Sequence, residues 1–118
     1  MIVQGLRGIG VPVAITSDVG NGFPDSVVSS RGRNYLMEFK SGSSRDPEKV
    51  LTDDQKNFMR TWNAPVYIVW SLAGAMYALG LSTEGEHDCI LVMPGYHYQK
   101  LFAVPGPSIA PKRKRVMG

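Results

Sequence analysis

The stretch PDSVVSSRGRNYLMEFKS, residues 24–41, decides how the rest of the chain is read. Two segments suited to strands, Asp25–Ser30 and Asn34–Ser41, flank Arg31-Gly32-Arg33, whose glycine suits a tight reversal. Side chains alternate along a strand. Glu38 and Lys40 therefore share one face with Leu36, while Tyr35, Met37 and Phe39 line the other and anchor the strand in a core. A two-residue turn at Arg31-Gly32, or a four-residue loop with the same centre, sets Asp25 opposite Glu38. A three-residue loop centred on Gly32 sets Asp25 opposite Phe39 instead.

In the first of these registers two acids stand with their Cβ atoms about 4.5–5.5 Å apart, where like charges repel. A hard divalent cation resolves that repulsion, because carboxylate oxygens are its preferred ligands. Such an ion could polarise a phosphoryl oxygen and acidify an attacking water, with Lys40 placed to neutralise charge growing on the phosphate. The plain alternative for the same residues is a solvated hairpin carrying a Glu38–Lys40 ion pair worth under about 1 kcal/mol. The E-x-K spacing alone does not choose between them.

Outward from the hairpin, Met1–Gly8 has helical spacing at Ile2, Leu6 and Ile9, and Val11–Thr16 suits a short strand. Ser17–Pro24 is a loop, in which Gly20-Asn21-Gly22 reads as a turn rather than a phosphate cradle. Gly42–Val50 is polar, contains Pro47 and also reads as a loop. Thr52 opens a helix: it is a good N-cap, Asp53 and Asp54 suit the positive end of the helix dipole, and Gln55 completes a capping box. That helix ends near Asn63, ahead of Pro65. Its stripe of Gln55, Phe58, Met59 and Trp62 turns the glutamine inward with the apolar face. Pro65–Trp70 is a buried strand, Ser71–Leu79 a helix capped by Ser71 and closed by Gly80, and Cys89–Met93 a further strand. The order α-β-β-β-α-β-α predicts an α/β protein with a mixed sheet and flanking helices. Residues 1–93 form one domain in this reading, and 94–118 a Pro-rich, basic extension that is partly disordered.

The length of 118 residues suits one domain. The apolar stretch Ala64–Leu81 is broken by Pro65, Gly74 and Gly80 and suits a strand followed by a helix better than a membrane span, and no export signal is recognised. The lone cysteine, Cys89, cannot form an internal disulfide and reads as a buried strand residue in a reducing, cytoplasmic setting. His87, Cys89 and His97 lack paired zinc spacing. The net charge is +3, with four cations together in Lys112-Arg113-Lys114-Arg115. That tail suits non-specific phosphate contact, or a nuclear localisation signal. Arg31, Arg33, Arg45, Lys49, Lys56 and Arg60 surround the proposed site in sequence and could follow a DNA backbone, although each could equally be a solvated surface charge.

The succession GFPDSVV (22–28), a short turn, YLMEFKSG (35–42), LTDDQKNFMRTW (51–62) and PVYIVWS (65–71) resembles the PD-(D/E)xK nuclease superfamily. Within it, the chain looks most like small VRR-NUC and Holliday-junction resolvase-like nucleases, often phage-borne. The resemblance covers Leu6–Gly80 and rests on the order and spacing of its four elements. It implies a restriction-endonuclease-like core and hydrolysis of phosphodiester bonds in branched DNA by a homodimer. It also implies Mg²⁺ or Mn²⁺ held by Asp25, Glu38 and the Phe39 main-chain carbonyl, with Lys40 and Gln55 completing the catalytic set. One departure stands out. Many members carry a metal-binding glutamate on the first helix, and no acid lies between Met1 and Ser17 here. A DNA-binding module without efficient catalysis is therefore the rival reading.

Overall fold

In the computed structural model, which describes residues 1–99, Arg31 and Gly32 take φ values of +50° and +78°. Two successive residues in the left-handed region are what a type I′ hairpin turn requires. The turn joins β2 (Ser26–Ser30) to β3 (Arg33–Phe39), pairing Ser30 with Arg33 and Ser26 with Met37. The register is thus the one set by a two-residue turn, and one step past Ser26 and Met37 it carries Asp25 across from Glu38.

Six strands form one sheet in the order β1 to β6, with β1 at Val13–Ile15, β4 at Val66–Val69, β5 at Cys89–Met93 and β6 at His97–Gln99. β3 and β4 run parallel, and every other neighbouring pair is antiparallel. A parallel pair needs a crossover. Here it contains a short helix α2 (Pro47–Val50) and the longer α3 (Asp53–Thr61). The fold is therefore a mixed α/β fold, with a six-stranded mixed sheet and four α-helices among the described residues.

Both faces of the central strands are covered. On one, Leu6 of α1 (Ile2–Gly8) and Ala75, Tyr77 and Ala78 of α4 (Leu72–Ala78) pack with Val28, Tyr35, Met37 and Val69. On the other, Met59 of α3 packs with Val66, Ile68, Trp70, Ile90 and Val92. All four residues of β4 are buried, which is why that strand reads as an unbroken apolar run rather than an alternation. Leu36 joins the second cluster, so the strand face carrying Glu38 lies against α3 instead of water.

The helix starts follow local chemistry. Thr52 accepts from the Gln55 amide while the Gln55 side chain accepts from the Thr52 amide, a complete capping box. Ser71 accepts from the Gly74 amide at the start of α4. Two elements depart from the sequence pattern. Gly42–Val50 contains α2, because Asp46 caps the Glu48 amide and Pro47 sits at the first helical turn, where its missing N–H costs nothing. β6 adds a sixth strand after the Pro94–Tyr96 turn, so the sheet continues beyond Met93. Among the described residues no helix is long and apolar enough to cross a membrane. The Lys112–Arg115 cluster, and the disorder expected of the chain's end, fall outside the described residues.

Candidate active site

Asp25 stands just before β2. Its main-chain carbonyl accepts from the Thr16 amide at 2.8 Å, and its carboxylate Oδ2 accepts from the Phe39 amide at 2.9 Å. The carboxylate is thereby fixed against the end of β3, beside Glu38. Gly22 sets the approach of the preceding loop. It has φ of +78°, and a Cβ there would stand 2.0 Å from the Asp54 carbonyl oxygen. Phe23 packs edge-on against Phe58 of α3 with ring centroids 5.2 Å apart, holding the same loop to the same helix. Gly22→Ala is expected to cost at least about 2 kcal/mol, from the left-handed backbone together with the clash. Chemical denaturation checks this, and a divalent-ion affinity that falls in parallel would show that the loop also places Asp25.

Glu38 is 2% exposed. Its Oε2 accepts from Gln55 Nε2 at 2.7 Å and lies 3.4 Å from Lys40 Nζ. Lys40 Nζ in turn donates to Gln55 Oε1 at 3.1 Å. Gln55 therefore caps its helix and bridges the acid to the base with one amide. Capping and a place at the site are not alternatives for this residue, because a third-position capping side chain here also points at β3. The second oxygen of Glu38, Oε1, is buried with no hydrogen-bond partner. An ionised oxygen in that state is costly. Burial first, then the neighbouring Asp25 charge, push Glu38 up to about 7 despite the opposing pull of Lys40. This is no solvated ion pair on a hairpin surface.

Asp25, Glu38, Phe39, Lys40 and Gln55 are thus brought together at the carboxyl end of β3. Of the cations expected to follow a DNA backbone, Arg31 and Arg33 lie away from this cluster, and Lys56 and Arg60 are engaged by neighbours on or beside α3. Arg31 donates to the Leu79 carbonyl, and the Arg33 guanidinium lies 5.8 Å from the Tyr35 ring centroid. Both sit at the hairpin turn, a strand length of about 20 Å from Phe39. Lys56 pairs with Glu48 at 3.3 Å and also donates to its carbonyl at 3.0 Å. Arg60 donates to the Asn57 side chain and lies 5.4 Å from the Tyr96 ring centroid. Cys89 is buried, its thiol pushed up to about 12 by desolvation, which suits a core residue and not a nucleophile.

Arg45, one of the cations expected to follow a DNA backbone, makes contacts that no sequence pattern declares. Arg45 lies 4.9 Å from the Trp70 ring centroid, pairs with Asp88 at 3.0 Å and donates to the Gly42 carbonyl at 2.7 Å. These contacts fasten the loop that follows Lys40, and their three components are too far apart in sequence to form a motif. Next to this loop a cleft of about 860 Å³ opens at the ends of β3 and β4, with Lys40, Trp70 and the first turns of α1 and α4 on its walls.

The residues present fit a divalent cation. No group of three or more His, Cys, Asp or Glu side chains suited to a metal occurs among the described residues. However, two neighbouring carboxylates, one of them with a buried, unpartnered oxygen, form a donor set that hard cations take when main-chain oxygen and water complete the shell. No family model, curated protein or solved structure matches the chain.

Proposed function

We propose that the protein is a Mg²⁺- or Mn²⁺-dependent DNA nuclease of the PD-(D/E)xK type, with a restriction-endonuclease-like core. The observation that carries this reading is the unpartnered Oε1 of Glu38, held beside Asp25 in a site edged by Lys40. Asp25 and Glu38, with the Phe39 carbonyl, would hold the cation; when bound, it supplies Lewis-acid polarisation of the phosphate and acidification of a water. Lys40 contributes positive charge where negative charge develops on the phosphate. Gln55 holds Lys40 and Glu38 in one orientation, so the site is preorganised before DNA arrives. The preferred substrate on this reading is branched or otherwise structured DNA, cut by a homodimer.

The test is incubation with labelled four-way junction, flap, duplex and single-stranded DNA in Mg²⁺, Mn²⁺ or EDTA. Cuts in either metal, absent in EDTA and strongest on the branched forms, are the expected result. Binding without cleavage in both metals would leave the rival reading, a DNA-binding module on the same scaffold. That rival is favoured by the absence of any acid from Met1 to Ser17.

A further inference from the structure

We infer that the cleft beside Lys40 receives an unpaired nucleobase of the strand being cut, an inference that rests on the nuclease reading. Its position is the first argument. The connection leaving β3 leads to α3 on one face of the sheet, and β4 leads to α4 on the other. The carboxyl ends of two parallel strands whose connections diverge in this way leave a crevice, which is where open α/β sheets bind their ligands.

Chemistry narrows the occupant. Phe39, Leu72 and Ile2, all packed on the α1–α4 side of the sheet, give the cleft apolar walls with one aromatic ring, and Lys40 is the sole charged side chain among its described lining residues. A cation at the rim of an acid-free apolar cleft matches a nucleotide, with its phosphate at the lysine and its base within. The volume of about 860 Å³ is several times what a phosphate alone needs. Asp25 and Glu38 do not line the cleft, so Lys40 links it to the carboxylates. A base engaged in a duplex cannot enter a crevice without leaving its stack. The substrate therefore carries an unpaired nucleotide next to the scissile phosphate.

The test measures binding in EDTA, where no cutting intervenes, by anisotropy of a labelled duplex bearing one unpaired thymidine. The control is the same duplex with an abasic residue at that position. The base is expected to raise affinity roughly tenfold, within the range of base–aromatic stacking. Gln4→Trp, which fills the cleft from an exposed position on α1, is expected to abolish the difference with no loss of thermal stability. Equal affinity for thymidine and abasic duplexes overturns the inference, as does a folded Gln4→Trp variant that keeps the full preference. Metal-dependent cleavage that ignores the unpaired nucleotide overturns it too, while leaving the nuclease reading intact. A clear base preference with no cleavage in either metal sinks the nuclease reading and keeps the nucleobase site.

Discussion

Lys40→Ala is expected to lower metal-dependent cleavage by about 10²–10³-fold, the usual cost of removing one charge aimed at a developing anion. Lys40 Nζ lies 3.4 Å from Glu38 Oε2 and 3.1 Å from Gln55 Oε1, so its ammonium is held at the site and not left to wander. Its loss also removes a charge that lowers the Glu38 pKa, which weakens cation binding near neutrality. Assays at pH 8.5 minimise that second effect, since Glu38 titrates at about 7 and is ionised there with or without moderate displacement. The variant should still bind Mn²⁺ through Asp25 and Glu38, read as a rise in Tm on adding the ion. A Lys40→Ala protein cutting within threefold of the wild type would remove the lysine from the mechanism.

The second large effect runs in opposite directions for stability and activity. Glu38 titrates at 4.5 in its unperturbed form and at about 7 in the folded protein. The folded state therefore holds the proton more tightly than the unfolded chain does. Its contribution to stability is fully present below about 4.5 and is lost as the pH rises to about 7. The full displacement corresponds to about 3 kcal/mol. Glu38→Gln keeps the size and the Gln55 contact while removing the charge, at the expense of the Lys40 partner. At pH 8 without divalent ions it is expected to be more stable by about 2 kcal/mol, roughly 5–10 °C in Tm. It should also lose the downward slope of Tm between pH 5 and 8, bind no Mn²⁺ and cut no DNA. A Glu38→Gln Tm below that of the wild type at pH 8 would show that the carboxylate is not strained in the fold. Metal should reverse the picture in the wild type alone, restoring more stability the higher the pH.

Much of this architecture is legible in the amino-acid sequence. The hairpin is, because Gly32 suits a tight reversal and each pairing follows by alternation once the loop length is set, but the left-handed Arg31 that selects the two-residue turn is not. The capping box at Thr52 and Gln55 is legible as well, since it depends on side chains three positions apart. The burial of Glu38 is not. It arises because the crossover lays α3 over that face of β3, a long-range event with no local pattern. Nor are the places of the cations legible: Arg31 reads as a free charge until the Leu79 carbonyl is found beside it. α2 and β6 span four and three residues, too few for a hydrophobic period to declare itself. Pro94-Gly95 does signal the turn before β6, but the φ of +66° at Tyr96 is a conformation that its side chain does not announce.

The double duty of Gln55 has a consequence for the life of the chain as it folds. The side chain that closes the first turn of α3 is also the one that gives Glu38 Oε2 its partner and holds the Lys40 ammonium. An unformed or frayed α3 thus withdraws the amide from both charged groups together. On the proposed reading this is an interlock: a nascent or partly melted copy has no assembled site, and cutting power arrives with the completed fold.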